Sequence, residues 1–321
     1  MSPEKDLSIV IPLYNEKESL QELTAWIGRV AQTENYDYEI ILVDDGSTDG
    51  SWQEIRRIAE TDPHISAISF RRNYGKSAAL FCGFRQAEGR VVITMDADLQ
   101  DSPDEIPEMY RMIAEDGWDI VSGWKMHRQD NRLTKNLPSK LYNATARFVT
   151  GIRLHDMNCG IKAYRNEVVK NIEVYGEMHR YIPYLAKNAG YTKITEHPVH
   201  HRKRKYGSSK FGMERFINGV LDLISLWFLS IFGKKPMHLF GCTGMLMFIS
   251  GFIMTVWLII DKLVSQSKGD HFRPVTDQPL FYLALVAVIL GVMLFLSGFL
   301  AELISRSSSE RNNYNIKDKI N

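Results

Sequence analysis

The sequence predicts an α/β fold in which a doubly wound sheet of parallel strands is followed by two membrane-spanning helices. Three observations predict it. Apolar runs of strand length alternate with segments of helical periodicity as far as about residue 205, as in strands joined by crossover helices. Polar residues follow directly after several of these runs. Two long uncharged stretches lie near the C-terminus.

Five strands are predicted from the apolar runs. They are Leu7–Leu13, Glu39–Val43, Ile65–Phe70, Val91–Met95 and Ile120–Val121. The first run is flanked by Asp6 and Glu16 and lacks both a basic region and a small-residue cleavage site. We therefore interpret it as a strand and not as a signal peptide.

Two helix starts are marked by residue type. Asn15 followed by Glu18 predicts a capping box at the start of the first helix. Pro103 stands where a helix entering Ile106–Ile113 would place its first residue.

Polar residues occur where the strands end. They are Tyr14, Asn15 and Glu16 after the first strand, Asp44 and Asp45 at the second, Arg71, Arg72 and Asn73 after the third, and Asp96, Asp98 and Gln100 after the fourth. Ligands of open α/β sheets bind beyond the carboxyl ends of the strands, so we expect these residues to line one crevice. No glycine-rich dinucleotide loop or P-loop follows any strand, which disfavours those nucleotide-binding classes.

Composition and charge exclude several other classes. The 321 residues carry 39 Lys and Arg against 38 Asp and Glu, a net charge of +1 that argues against nucleic acid as a partner. The three cysteines, Cys82, Cys159 and Cys242, are far apart, so neither a disulfide framework nor a zinc knuckle is predicted. A reducing compartment fits this pattern.

The segment Asp96-Ala97-Asp98-Leu99-Gln100 is the central chemical motif. Alternate residues of an extended segment can face one ion, and hard oxygen ligands suit Mg²⁺ or Mn²⁺ that also binds substrate phosphates. A D-x-D alone is a weak signal, and a solvated loop is the alternative. Its position after a predicted strand favours the metal site.

Two other candidate nucleotide-binding regions each have a structural alternative. Asp44, at the end of its strand, could accept hydrogen bonds from a base or ribose, whereas Ser47–Asp49 could equally form a turn and cap the next helix. Glu16 could bind the nucleoside or lie on a solvated surface.

The C-terminal third is predicted to associate with a membrane. Met237–Ile260 and Leu280–Ala301 contain no charged residue and exceed the roughly 20 residues that span a bilayer. The segment Phe211–Phe232 is amphipathic and predicts interfacial helices. Lysines before the first span and basic residues after the second place both chain ends in the cytoplasm. We expect a catalytic domain at 1–210, interfacial helices at 211–235, an anchor at 236–304 and a cytoplasmic tail at 305–321.

Several ordered motifs carry a resemblance to a known family. They are Val10-Ile11-Pro12-Leu13-Tyr14-Asn15-Glu16, Val43 to Asp49, Arg72-Asn73-Tyr74-Gly75-Lys76, Asp96 to Gln100, Leu154 to Gly160 and Gly207 to Phe211. With the two spans, they resemble family-two inverting glycosyltransferases across nearly the whole chain. More narrowly, the chain is similar to the polyprenyl-phosphate group, which includes dolichol-phosphate mannose synthases and bacterial undecaprenyl-phosphate sugar transferases.

The resemblance implies a GT-A type, Rossmann-like nucleotide-diphospho-sugar transferase fold, and it implies roles for particular residues. The nucleotide-binding residues would be Pro12, Tyr14, Glu16, Asp44, Lys76, Asp96, Arg204, Ser209 and Lys210, the last three on a mobile loop. The metal would be bound by Asp96, Asp98 and Gln100. Asp98 and Asp156 are the catalytic candidates, Asp156 as a base or as an orienting group. No Gln-x-x-Arg-Trp motif occurs, so a single transfer per acceptor is expected.

The lipid phosphate requires cations near this acidic crevice. Lys125, Arg128, Arg132 and Lys135 follow the fifth strand, and Arg128 and Arg132, with Ser139, are the preferred acceptor ligands. The alternative is an ordinary solvated basic loop. The run 202–205 could face anionic headgroups. The nearby His197, His200 and His201 resemble zinc-ligand spacing only loosely, and a zinc site is disfavoured.

We therefore predict an enzyme of the bacterial inner membrane that transfers a sugar from a UDP-sugar such as UDP-glucose to polyprenyl phosphate, using Mg²⁺ or Mn²⁺ and serving envelope glycan modification. GDP-mannose is the rival donor. A nucleotidyltransferase and a catalytically silent membrane scaffold are the rival functions. Small residues in the spans could also permit a homo-oligomer.

Overall fold

The computed structural model describes residues 5–126, 147, 150–202, 205–206, 236–268, 274–307 and 316–320. The chain divides into two units, Met1–Leu223 with Glu310–Asn321, and Ile224–Ser309. The domain boundaries predicted from the sequence stay predictions.

The first unit contains one eight-stranded sheet. Its strands are β1 (Lys5–Leu13), β2 (Tyr38–Asp44), β3 (Ile65–Phe70), β4 (Gly89–Thr94), β5 (Ile120–Trp124), β6 (Lys162–Arg165), β7 (Ile194–Pro198) and β8 (Ile316–Ile320). Their order across the sheet is β7-β5-β6-β4-β1-β2-β3-β8. The five strands predicted from the sequence are confirmed as β1 to β5.

The sheet is mixed, and this differs from the all-parallel prediction. β4, β1, β2 and β3 pair in parallel, as do β5 and β7. β6 lies between β4 and β5 and is antiparallel to both. The N-terminal end of β6 therefore lies at the same edge as the carboxyl ends of β4 and β5. This brings the segment that precedes Lys162 to the edge where the site was predicted.

Helices cover both faces of this sheet. They are α1 (Leu20–Thr33), α2 (Ser51–Ala59), α3 (Lys76–Gln86), α4 (Ile106–Ala114), α5 (Asn166–Asn171) and α6 (Ile182–Asn188). The alternation along β1 explains the two layers, because Ile9 and Ile11 pack with α1, α2 and α4 while Val10 packs with α3, α5 and α6. The doubly wound α/β prediction is confirmed.

The two predicted helix starts have different outcomes. Pro103 begins a 3₁₀ turn that leads into α4, as its fixed φ favours. The capping box at Asn15 is wrong, because α1 begins only at Leu20 and Asn15 adopts a φ of 55°. The Asn15 side chain instead accepts a hydrogen bond from Thr48 N at 2.8 Å, so tertiary contact replaces the local cap.

β8 covers one edge of the sheet. It pairs antiparallel with β3, with Ala67 opposite Ile320 and Phe70 opposite Ile316. No strand is predicted from the sequence in this segment. Pairing β8 removes a free row of backbone donors and acceptors from β3, which would otherwise be open to another chain.

The second unit is a helical hairpin of α7 (Pro236–Lys268) and α8 (Pro279–Ser307). Leu239–Lys268 and Pro279–Ala301 are long and apolar enough to cross a membrane, with mean hydropathies of 2.1 and 2.7. Large apolar side chains such as Leu246, Phe252 and Leu300 are more than half exposed. Those side chains would be stable against lipid, in agreement with the two predicted spans.

Glycines set the distance between α7 and α8. A Cβ atom on Gly291 would lie 2.6 Å from Phe248 N and 2.7 Å from Gly244 O. A Cβ atom on Gly251 would lie 2.7 Å from Ala284 O. Because the obstructing atoms are backbone, the helices could not accept larger residues without separating. Gly244, Gly251 and Gly291 therefore lie at the contact between α7 and α8 within one chain.

Replacing Gly291 by Leu is expected to force α7 and α8 apart. Overpacking of this kind costs on the order of 1–3 kcal/mol, and we expect a lower thermal unfolding temperature in detergent. Ser250→Leu is the matched control, because Ser250 is exposed on α7 and its hydroxyl donates only to Met247 O. Equal unfolding temperatures for the two variants would contradict the close packing.

Candidate active site

Loops from six strand ends meet at one edge of the sheet. The loop after β1 binds the loop after β2, since Asn15 N donates to Ser47 Oγ at 2.8 Å and Glu16 N donates to Ser51 Oγ at 3.1 Å. Asp49 Oδ2 accepts from Lys17 N. These bonds fix the backbone that carries Tyr14 and Glu16. Ser47 and Asp49 thus connect the two loops, but the predicted cap is not formed as expected, because Gly50 is the N-cap of α2 and makes no side-chain cap hydrogen bond.

Asp44 ends β2 and is buried. Its Oδ1 accepts a hydrogen bond from Ser47 N at 3.0 Å and its Oδ2 accepts one from Ser69 Oγ at 3.1 Å. Both carboxylate oxygens therefore already bind protein donors. Pro12, Tyr14 and Glu16, the other residues predicted to hold the nucleoside, are partly exposed at the end of β1.

Asp45 organises the loop after β3, a role that the sequence analysis missed. Its carboxylate accepts hydrogen bonds from Tyr74 N at 2.7 Å and Gly75 N at 2.9 Å. Gly75 has a φ of 95°, which favours glycine, and Lys76 begins α3 directly after it. Burial raises the pKa of Asp45 to about 6, although the two backbone donors oppose the shift.

This raised pKa predicts a pH dependence of stability. A carboxyl whose folded pKa exceeds its ordinary value of 3.8 stabilises the fold when protonated, and that contribution is lost as the pH rises through about 6. The free energy of unfolding of Asp45→Asn, relative to that of the unmodified protein, should therefore increase by on the order of 2–3 kcal/mol as the pH rises from 4 to 7. Thermal unfolding of both proteins across this range checks it. A pH-independent difference would contradict the shift.

Lys76 and Asp96 form an ion pair between the start of α3 and the segment after β4. The Lys76 ammonium contacts Asp96 Oδ1, and both side chains are about one-third exposed. Burial alone would raise the pKa of Asp96, but the charges of Lys76, Lys125 and Lys162 hold that pKa well below its usual range. Asp96 is therefore anionic at neutral pH. Two residues predicted to bind the nucleotide are thus in direct contact.

Residues 96–100 form a turn, not the extended segment expected from the sequence, and exposure alternates along it. Asp96, Asp98 and Gln100 are partly exposed, whereas Ala97 and Leu99 are buried. Asp98 Oδ1 accepts a hydrogen bond from Gln100 N at 3.2 Å, which tightens the turn. Leu99 has a φ of 58°, an uncommon conformation for a bulky residue and one that clusters at functional sites.

Gly160 supports Asp96 from the segment before β6. A Cβ atom on this glycine would lie 2.5 Å from Asp96 Oδ2 and 2.9 Å from Asp101 Oδ2. Only a residue without a side chain allows both carboxylates to lie so close to this backbone. Gly160 was part of the motif that carried the resemblance, but the physical reason for a glycine at this position is visible only in the structure.

A buried lysine lies beneath the same segment. Lys162, the first residue of β6, is 4% exposed and its ammonium donates to Cys159 O. Burial lowers the pKa of Lys162, while the negative charges of Asp156 and Asp96 act in the opposite direction. Asp156 is 3% exposed, and its Oδ1 accepts a hydrogen bond from Asn158 N at 3.1 Å. Asp156 and Asp96 are therefore both close enough to Lys162 to influence its pKa.

The segment after β7 crosses the end of the Asp96–Gln100 turn. His201 forms an antiparallel bridge with Asp101, and Arg202 N donates to Gln100 O at 2.9 Å. The Arg202 guanidinium lies 4.3 Å from the centre of the Trp26 ring. The backbone at Arg202 is therefore hydrogen-bonded to Gln100, one of the predicted metal ligands.

The neighbouring histidines bind a carboxylate. His197 Nε2 lies 3.2 Å from Glu105 Oε2, and His200 Nδ1 lies 2.9 Å from Glu105 Oε1. Within the described ranges, no group of three or more His, Cys, Asp or Glu residues has a geometry suited to a metal. The set predicted from the sequence, Asp96, Asp98 and Gln100, contains only two such residues.

Six predicted site residues lie outside the described residues. They are the acceptor ligands Arg128, Arg132 and Ser139, and the loop residues Arg204, Ser209 and Lys210. Lys125, which the sequence grouped with the acceptor cations, is described and lies 2.8 Å from Asp101 Oδ1. Lys125 is therefore paired with a carboxylate of the protein and is largely buried, which fits neither a cation kept for the lipid phosphate nor the solvated basic loop that was the alternative.

Residues 8–173 match glycosyl transferase family 2. The chain is 32% identical over 304 residues to dodecaprenyl-phosphate galacturonate synthase of Rhizobium johnstonii, covering 94% of this chain and 88% of that protein. It is 38% identical over 261 residues to the undecaprenyl-phosphate 4-deoxy-4-formamido-L-arabinose transferase of Yersinia enterocolitica, covering 81% and 77%.

Solved structures of glycosyltransferases share the fold. Glucosyl-3-phosphoglycerate synthase from Mycobacterium tuberculosis, in complex with Mn²⁺, UDP-glucose and phosphoglyceric acid, matches with a TM-score of 0.52 and 18% identity, covering 71% of this chain and 80% of that one. A mannosyltransferase from Pyrobaculum calidifontis in complex with GDP-Man and Mn²⁺ matches with a TM-score of 0.51 and 18% identity, covering 95% and 76%. The predicted GT-A type fold is confirmed.

Proposed function

Because this chain belongs to glycosyl transferase family 2, among the polyprenyl-phosphate glycosyltransferases, we propose that it transfers one sugar from a nucleotide sugar to polyprenyl phosphate with inversion. The Asp96–Gln100 turn is the observation that carries this proposal. Its three oxygen-bearing side chains, Asp96, Asp98 and Gln100, are partly exposed, Lys76 contacts the Asp96 carboxylate, and the Gly160 backbone lies against it.

The chemistry of these side chains fits a divalent cation. Asp96, Asp98 and Gln100 offer carboxylate and amide oxygens, the ligands that Mg²⁺ and Mn²⁺ prefer. The lowered pKa of Asp96 keeps that carboxylate anionic, as a metal ligand must be. A divalent ion bound there would offset the charge that develops on the leaving nucleoside diphosphate.

The proposed reaction is a single displacement at the anomeric carbon. An oxygen of the lipid phosphate forms a bond to that carbon as the bond to the nucleoside diphosphate breaks, and the nucleoside diphosphate leaves from the opposite face. A phosphate with a second pKa near 6 is largely ionised at neutral pH. The acceptor therefore needs orientation more than it needs a strong general base.

Asp156 is proposed to orient the acceptor or the sugar. Its burial beside Cys159 and Lys162, and its acceptance of a hydrogen bond from Asn158 N, support a fixed orientation. A group held in one geometry positions a reactant effectively. Loss of all transfer in Asp156→Asn, with nucleotide binding intact, would show instead that Asp156 is essential to the chemical step.

Lys76 and the loop after β1 are proposed to hold the nucleotide. Lys76 lies beside Asp96, so its ammonium can reach a diphosphate bound at the turn. Pro12, Tyr14 and Glu16 are partly exposed at the end of β1 and are proposed to contact the nucleoside. Arg204, Ser209 and Lys210 are proposed to close over the nucleotide, and Arg128, Arg132 and Ser139 to bind the lipid phosphate.

The donor is proposed to be a UDP-sugar, with GDP-mannose as the alternative. The relatives are named for galacturonate and for 4-deoxy-4-formamido-L-arabinose, so glucose is one candidate among several hexoses and pentoses. The apolar hairpin supports a membrane location. We propose the cytoplasmic face of a bacterial inner membrane, where soluble nucleotide sugars and the lipid phosphate are both accessible.

A labelled transfer assay tests the proposal. Full-length protein in detergent receives undecaprenyl phosphate, Mn²⁺ or Mg²⁺, and one of UDP-glucose, UDP-galacturonate, UDP-linked 4-deoxy-4-formamido-L-arabinose or GDP-mannose, each labelled in the sugar. We expect label in the lipid fraction with one donor and none with a chelator. Nucleotide binding without a lipid product from any donor would favour the non-catalytic scaffold.

A further inference from the structure

A second ion pair lies buried behind the Asp96–Gln100 turn. Asp101 directly follows this turn and is 1% exposed, and Lys125 directly follows β5. The Lys125 ammonium lies 2.8 Å from Asp101 Oδ1. Within the described part of the chain, no residue other than Lys125 approaches either carboxylate oxygen as a donor. Among the described residues, the negative charge of the Asp101 carboxylate is therefore balanced by the Lys125 ammonium.

The same lysine is also within electrostatic reach of Asp96. The Gly160 backbone lies against both Asp96 and Asp101, so the two carboxylates are close to each other. The positive charge of Lys125 contributes to the low pKa of Asp96, and the charges of Asp101 and Asp96 raise the pKa of Lys125 against its burial. Lys125 thus has two candidate partners and is bound to only one of them.

Asp101 is fixed in place by its backbone as well. It bridges to His201, and the preceding residue, Gln100, accepts a hydrogen bond from Arg202 N. The position of its carboxylate is therefore set by the segment after β7 and by Gly160. A carboxylate fixed in this way can hold a flexible lysine side chain in one orientation.

We propose that Asp101 is a positioning residue that holds the Lys125 ammonium away from Asp96 and so keeps Asp96 available to a divalent cation and its nucleotide diphosphate. This rests on the proposed function for the identity of the ligand. Asp101 acts through Lys125 and touches no substrate. Removing either partner alone leaves one buried charge uncompensated beside Asp96, whereas removing both leaves none.

Removing Asp101 and removing Lys125 are expected to change Mn²⁺ binding in opposite directions. In Asp101→Asn, the released Lys125 competes with the cation at Asp96, and we expect the Mn²⁺ concentration that half-saturates UDP binding to rise about tenfold. In Lys125→Met, the uncompensated Asp101 adds negative potential, and we expect that concentration to fall about threefold. In the double variant it should return to within about twofold of the unmodified protein.

Calorimetric titration of UDP at a series of Mn²⁺ concentrations tests this on the full-length protein in detergent. Arg111→Met with Asp116→Asn, an exposed ion pair, is the matched control and should change nothing. The proposal would be overturned if the half-saturating Mn²⁺ concentration of Asp101→Asn were unchanged, or if that of the double variant were as high as that of Asp101→Asn. A fall in unfolding temperature would not alter either conclusion. If Asp101→Asn does not fold, Lys125→Met decides alone. A lower half-saturating Mn²⁺ concentration than that of the unmodified protein supports the proposal, and an equal or higher one overturns it.

The sugar-transfer assay on the unmodified protein separates the two proposals. Mn²⁺-dependent UDP binding without transfer would refute the proposed reaction and leave the Asp101–Lys125 comparison fully measurable. Normal transfer with no effect of Asp101→Asn on the Mn²⁺ dependence would refute only the role of Asp101.

Discussion

Replacing Asp96 by Asn is expected to reduce sugar transfer by about 10³-fold, the largest single effect that the site supports. Asn keeps the shape of the side chain but removes the anionic ligand. It also leaves Lys76 without its carboxylate partner, and a free ammonium beside the turn would repel a divalent cation. Initial rates of lipid-linked product formation at saturating donor measure the effect.

Asp116→Asn is the control for Asp96→Asn. Asp116 is exposed and pairs with Arg111 at the surface, so its loss should leave transfer within about twofold. Unfolding temperatures of both variants should remain close to that of the unmodified protein. If Asp96→Asn kept more than a tenth of the transfer rate, the proposed role of the turn would be wrong.

Replacing Gly160 by Ala is expected to have the second-largest effect, a loss of about 10²-fold in transfer. The added Cβ atom would lie 2.5 Å from Asp96 Oδ2, closer than van der Waals contact allows. Because the segment before β6 is packed below the turn, we expect the Asp96 carboxylate to move. The half-saturating Mn²⁺ concentration should therefore rise together with the loss of rate.

Gly123→Ala separates this effect from general destabilisation. A Cβ atom on Gly123 would lie 2.7 Å from Ile161 Cγ2 and 2.8 Å from Cys159 Sγ, in the same region but against no carboxylate. We expect Gly123→Ala to lower the unfolding temperature without changing the Mn²⁺ dependence. Equal shifts in Mn²⁺ dependence for the two variants would show that Gly160 acts only through packing.

The sequence predicts the strands that are rich in β-branched and aliphatic residues and misses the others. β1 to β4 read as apolar runs because both faces of these central strands are buried by helices. β6 and β7 are short and contain Lys162, Glu196 and His197, so no apolar run marks them. The antiparallel position of β6 follows from a long connection that local pattern does not encode.

The site is predictable to a similar extent. The alternating exposure of Asp96, Asp98 and Gln100 follows from residue type and from the strand before them. The roles of Asp45 and Asp101 depend on partners far away in the chain, such as Gly75 and Lys125. Asp44 attracted the nucleotide prediction because it ends a strand, but its burial with Ser69 depends on a neighbouring strand.

The central claim is that the Asp96–Gln100 turn binds one divalent ion together with a nucleotide diphosphate. Electron paramagnetic resonance of Mn²⁺, recorded with UDP carrying ¹⁷O on its diphosphate, tests it directly. We expect protein-bound Mn²⁺ whose lines broaden with ¹⁷O-UDP, and loss of that bound signal in Asp96→Asn. Bound Mn²⁺ without broadening, or an unchanged signal in Asp96→Asn, would contradict the claim.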